Sequence, residues 1–297
     1  SKSTYISLKD SSVVTTGNNS AGTAVSARAM MKVENSTVST TGDSSPAIMI
    51  ADGGGILIAD GGSFTTSGAM SQGIYSKGDV TVTNASVNAL NAKAAVLKGN
   101  NTITLSGTIL EGKETADTIP YNIVLFSDEK DIGTMGTQHF DVRGGSLISH
   151  KGGMFYVTAT HGKISLNGTA ITMDDPAANL ITVAGNDGAN GWGTPGRNGG
   201  HVELVADNQV LTGNISVDSI SNINMTLKNN STFNGMISIV PNTEGGEKYK
   251  TNADVFIAAG STWNLTGNST LTSLYNLGTI NYNGYTITLA DGTVMKA

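Results

Sequence analysis

Three groups of residues in this sequence have types and spacings suited to chemistry. The first is Trp192 in the glycine-rich segment "GNDGANGWGTPGRNGG" (185–200), with Asn190, Arg197 and His201 close by. An aromatic ring in a polar loop can stack on a sugar face, while an Arg fork and an Asn amide supply hydrogen bonds. These four residues are therefore the expected contacts for a glycan or protein partner. The second group is Asp174-Asp175 with His161-Gly162, since a pair of carboxylates can divide the work of general acid and base. "MDDPAAN" reads more economically as a turn in which Pro176 stops a strand, so no catalytic set is expected. The third group is His139, His150, His161 and His201, which lack a short ligand spacing such as His-x-x-x-His. The last three can become neighbours in the folded chain, but surface histidines account for them equally well. Asn186, Asp187 and Asn190 offer oxygens to calcium without the spacing of an EF-hand loop or a nonapeptide repeat. No Lys-Ser/Thr follows the glycines to form a phosphate cradle. Neither a metal nor a cofactor is expected.

The elements that must position these residues come from a repeat. "DSSVVTTGNNSAGTAV" (10–25) is written again as "NSTVSTTGDSSPAIMI" (35–50) and "GGSFTTSGAMSQGIYS" (61–76). Val13, Val38, Phe64 and Val87 share one position at intervals of 25, 26 and 23 residues, and Gly17, Gly42 and Gly68 keep the first two of these intervals. The series continues through Ile109, Leu147 and Ile171, and again at Leu211 and Phe233. A period of this size marks a solenoid. Apolar residues alternate at two in "DVTVTNASV", "NTITLSGTIL" and "GYTITLADGTV", which selects strands over helices. About three strands per repeat predict an all-β parallel β-helix of about eleven or twelve coils, a rod roughly 50 to 60 Å long at about 4.8 Å per coil. Val80, Val82, Ile103 and Leu105 should point inward. The pairs Asn167-Gly168, Asn234-Gly235 and Asn283-Gly284 are placed at corners, where a positive φ is tolerated.

One domain spans 1–297. Segments 111–141 and 185–200 are expected as corner-loop insertions, and "PNTEGGEKYKTNA" lengthens another interval; 252–297 should form capping coils, with Trp263 plugging the terminal core. Loops at corners are where function is expected.

Composition narrows the partners. The net charge is −6 and only 13% of residues are charged, so there is no broad basic field for nucleic acid. Without cysteine, neither a disulfide framework nor a thiolate metal site can form. No apolar run reaches the roughly 18 residues of a membrane helix, so no membrane insertion is expected. The chain opens on Ser1-Lys2-Ser3, read as a mature or trimmed form from which any export signal has been removed.

In the C-terminal part, "VELVADNQVLTGNISVDSISNINMTLKNNSTFNGMISI" and "AAGSTWNLTGNSTLTSLYNLGTI" resemble the passenger regions of autotransporter-type bacterial surface proteins, which are right-handed parallel β-helices. Residues 202–297 carry most of the resemblance, with the run Trp263 to Leu271 similar to the late motif that caps or nucleates such helices. No outer-membrane β-barrel follows Ala297, so the sequence either stops before it or belongs to a related secreted or anchored β-helix. The Gly-Asp-Ser-Gly motif of the family's serine proteases is absent. Asp174-Asp175 and His161-Gly162 are similar to elements of β-helical galacturonidases, but their order is reversed and the accompanying Asn-Thr-Asp and Arg-x-Lys elements are missing. The resemblance implies an extracellular or cell-surface protein, non-enzymatic and adhesin-like, that meets a glycan or protein on a host or neighbouring cell. The alternative is a polysaccharide lyase or glycoside hydrolase. Convergence of three or more carboxylate, Arg or Lys side chains in one groove is the feature that separates the two.

Overall fold

The computed structural model describes residues 4–26, 28–52, 54–117, 119–127, 136–186, 194–244 and 251–297. Among them there is no helix, and every strand pairing is parallel except the last, between Ile287–Leu289 and Val294–Met295. The molecule is a parallel β-helix, as the period-two alternation predicts. Three faces run along the rod. The first face is a ladder of eleven rungs from Tyr5–Lys9 to Ser273–Asn276. The second runs from Ser12–Thr15 to Ala170–Met173 and resumes as a four-stranded sheet from Val210–Thr212 to Thr279–Asn281. The third is a nine-stranded sheet from Thr23–Val25 to Ile237–Val240, followed by a three-stranded sheet.

The first two faces share one sixteen-stranded sheet because Met30–Thr40 and Ile56–Thr66 each turn the corner without breaking. Asn35 (φ 44°) makes the bend in the former, and Gly61 (φ 69°) with Gly62 (φ 93°) in the latter. Left-handed backbone is costly for most residues and cheap for Gly and Asn. Where the second face is interrupted, the buried Gln209 side chain closes the gap: its Oε1 accepts from Thr169 N at 2.8 Å and its Nε2 donates to Thr169 O at 2.7 Å.

The repeated segments Thr15-Thr16-Gly17, Thr40-Thr41-Gly42 and Thr66-Ser67-Gly68 form the next corner. Thr15, Thr40 and Thr66 donate through Oγ1 to the carbonyls of Ser20, Ser45 and Ser71 at 2.8, 2.6 and 2.5 Å. The first two of these serines are tied to the next coil, Ser20 N donating to Ser45 Oγ and Ser45 N to Ser71 Oγ, both at 2.9 Å. Gly42 and Gly68 are required by close approach: a Cβ at either would lie 2.0 Å from the carbonyl oxygen of the glycine one coil back.

The core is a set of side-chain ladders. Val13, Val38, Phe64 and Val87 pair rung to rung, with Val13 half-buried at the end of the rod and the other three buried. The series continues through Leu110, Leu147 and Ile171, not through Ile109, which is 43% exposed. The pleat of the strand Ile109–Gly112, exposed at Ile109 and buried at Leu110, fixes that face, and counting intervals alone misses it by one residue. Val80, Val82, Ile103 and Leu105 point inward as predicted. Downstream, Leu211, Phe233, Trp263 and Ile280 form the corresponding ladder. Trp263 is fully buried, 5.6 Å from the Phe233 ring, and its indole Nε1 donates to Gly235 O at 2.9 Å.

Two expectations need revision. Asn234-Gly235 is not a corner, because both residues lie in the strand Thr232–Gly235. Asn234 instead joins an outward amide ladder, receiving a hydrogen bond from Asn264 as Asn264 does from Asn281, each at 2.7 Å. The insertion expected over 111–141 is also narrower, since Tyr121–Phe126 and Thr137–Arg143 are regular rungs. Part of its acidic charge is structural: Glu114 and Asp117 bind the buried ammonium of Lys93 at 3.3 and 2.9 Å. That contact borders a small apolar cluster on the outer side of the third face, formed by Val96, Val124 and Tyr156.

Candidate functional site

Four consecutive rungs of the first face, Thr137–Arg143, His161–Asn167, His201–Asp207 and Asn222–Lys228, alternate in the same phase. Their apolar members, such as Phe140, Ile164, Leu204 and Met225, are buried. The intervening residues face outward, and the parallel register sorts them into four rows. Thr137, His161, His201 and Asn222 form the first row, and His139, Lys163, Glu203 and Asn224 the second. Asp141, Ser165, Val205 and Thr226 form the third, and Arg143, Asn167, Asp207 and Lys228 the fourth. Polar side chains thus recur at the rung spacing of about 4.8 Å along the rod.

Two depressions open on this grid, of about 790 and about 300 Å³, and both are lined by Lys163 and Glu203. They form one trough across the rungs. The larger holds six charged residues: Asp141, Arg143, Lys163, Glu203, Asp207 and Lys228. Two opposite-charge pairs close within it, Lys163 to Glu203 at 3.0 Å and Lys228 to Asp207 at 3.3 Å. Asn229 donates to Asp207 at 2.7 Å, and this bond, with Lys228 beside it, holds the Asp207 carboxyl below its ordinary pKa. In the smaller depression the imidazoles of His161 and His201 stack at 4.7 Å with 22° between planes. Burial, and secondarily the neighbouring His161, lower the pKa of His201.

A second polar cluster lies beyond the second face. His150 stands between two carboxylates from neighbouring coils, with Nε2 2.5 Å from Glu111 Oε1 and Nδ1 2.7 Å from Asp174 Oδ2. Carboxylates only accept, so both contacts are satisfied when both ring nitrogens carry protons. The hydrogen bond to Asp174, then that to Glu111, raises the His150 pKa accordingly.

Of the four residues singled out for binding, His201 faces the trough. Arg197 is exposed on the corner preceding it and lines neither depression. Asn190 and Trp192 lie outside the described residues. His161-Gly162 sits in the first face whereas Asp174 follows the second, where it is engaged by His150. Asp175 caps its own turn, accepting from Ala177 N at 3.0 Å, as the turn reading of "MDDPAAN" requires. Asp141, Arg143, Lys163, Glu203, Asp207 and Lys228 escaped the sequence reading. Their signal was present in "TQHFDVR", "HGKISLN", "HVELVAD" and "NINMTLK", whose polar positions fall into columns once these segments are set in register.

No protein family matches the chain, and neither a curated protein nor a solved structure resembles it significantly. Among the described residues, no helix is long and apolar enough to cross a membrane.

Proposed function

We propose that this chain is a non-enzymatic bacterial cell-surface or secreted β-helix, of the autotransporter-passenger kind, that binds a polysaccharide or surface glycan along its first face. The observation that carries the reading is the trough itself, where Asn, Thr, Ser, His and charged side chains recur in rows across four rungs. A linear glycan presents hydroxyls at a comparable repeat, and hydroxyls take hydrogen bonds from donors and acceptors alike. Adhesion or surface presentation follows from an elongated rod with such a face.

A second reading, a polysaccharide lyase or glycoside hydrolase, is favoured by the convergence of six charged residues in the larger depression. Against it, Glu203 and Asp207 are each engaged by a lysine, and Asp207 is held more acidic, whereas a general acid must be held less so. The test is a glycan array followed by titration of the best-bound polysaccharide, with Lys163→Ala/Asn224→Ala as the variant. Neither side chain enters the core. Binding should fall at least tenfold with the fold retained, and no new reducing ends or unsaturated products should appear on long incubation. Undiminished binding by the folded variant would refute the trough as the site, and product formation would establish the enzymatic reading instead.

A further inference from the structure

We propose that His161 and His201 form an open binding site for a first-row divalent transition cation, zinc(II) or copper(II), at one end of the trough. The two residues are direct partners in adjacent parallel rungs, so their side chains leave the sheet side by side on the same face. Their rings are held at 4.7 Å, nearly parallel, which keeps the nitrogens of both within reach of one cation set between or above them. The depression over them has about 300 Å³ of space, ample for a cation and its waters.

Oxygen donors stand at the margin. Asn222 occupies the next rung of the same row, and Glu203 lies two residues along from His201 on the same side of the strand. Glu203 now faces Lys163 and can exchange that partner for the cation. Imidazole nitrogen selects zinc, copper and nickel over magnesium and calcium, which require cages of oxygen. Among the described residues, no three His, Asp or Glu side chains already converge as a complete ligand set. The cation therefore has two protein nitrogens and exchangeable positions that face the trough, where a hydroxyl or carboxylate of a bound molecule can enter. The two histidines are 40 positions apart in sequence, so the cation also pins together the rungs on either side of the coil that carries segment 185–200. This inference rests on the histidine pair and does not depend on the glycan reading.

The test uses the full chain, freed of metal by chelator and dialysis, and titrated calorimetrically with zinc chloride or copper chloride, with magnesium and calcium chloride alongside. One zinc or copper per chain is expected, with no magnesium or calcium binding at the same concentrations. His161→Asn and His201→Asn should each weaken binding at least tenfold, and should abolish the rise in melting temperature that the cation gives the unaltered protein. His161→Gln provides a second variant should the first fail to fold. His139→Asn and His150→Gln should leave binding intact. Absence of heat and of any melting shift up to millimolar cation would overturn the proposal. So would binding that survives the double variant His161→Asn/His201→Asn, or that is lost only with His150→Gln.

Discussion

Truncating Trp263 to Ala offers the most quantitative check of how the rod is held together. The indole is fully buried in the ladder formed by Leu211, Phe233, Trp263 and Ile280, and it contributes a hydrogen bond to Gly235 O. A buried Trp removes about 200 Å² from water, which at about 25 cal/mol per Å² is about 5 kcal/mol. Partial collapse of the cavity recovers some of this, while loss of the indole hydrogen bond adds about 1 kcal/mol. The expected net loss is about 3–5 kcal/mol. Each coil touches only its neighbours, so the loss should be confined to the C-terminal coils. Native-state amide exchange reads this directly. Amides of Thr232–Gly235, Thr262–Leu265 and Thr279–Asn281 should exchange about two to three and a half decades faster, whereas those of Met30–Thr40 should keep their protection. Unchanged exchange in the three C-terminal strands would refute the core assignment. An equal loss along the whole rod would refute the nearest-neighbour account of its stability.

Two further outcomes follow from local geometry. The raised pKa of His150 means that its clasp with Glu111 and Asp174 is fully present below the unfolded value of 6.5 and is lost as pH rises through the higher folded value. The melting temperature should therefore fall as pH rises from below 6.5 through the higher folded value, and His150→Gln should remove that component, with Lys113, Lys151 and Asp175 unchanged; an identical pH profile in the variant would refute the clasp. Gly42→Ala puts a methyl group 2.0 Å from Gly17 O, backbone that cannot swing away, and should cost about 1–3 kcal/mol or more by urea denaturation, whereas Gly54→Ala, with nothing near its added Cβ, should show only the smaller strain of a positive φ. Equal costs at the two glycines would show that the corner is not closely packed.

The architecture was legible because two periods agree in this sequence. The interval between Val13, Val38, Phe64 and Val87 marks the coil, and the alternation within "DVTVT" marks the strand; neither depends on distant context. The reading failed where one residue decides a face. Ile109 and Leu110 are adjacent and both apolar, so an interval of roughly 22 to 26 residues cannot choose between them, but the pleat can. It failed again at Asn234-Gly235, where a turn-forming pair is used for a side-chain ladder and a close backbone approach. The trough was hidden for a different reason. His139, Lys163, Glu203 and Asn224 become a row only after three strand registers are fixed, and the intervals between them range from 21 to 40 residues because of segment 185–200. Lone aromatic and histidine residues attract attention in a linear reading, whereas side chains that matter as a row do not.

The six charges of the trough, three of each sign, leave it without a net field of its own. At distances beyond a Debye length such a surface neither pulls nor repels, so encounter with a ligand should proceed at the unsteered rate of about 10⁵–10⁶ M⁻¹s⁻¹ and vary little with ionic strength. If the trough holds a glycan as proposed, retention must then come from slow departure. A chain-like molecule lying across several rungs can rebind at one while it has let go at another, and its dwell time lengthens with the number of rungs it spans. On the glycan reading proposed above, a rod built this way would tell long polymers from short ones by residence, even when both carry the same sugars.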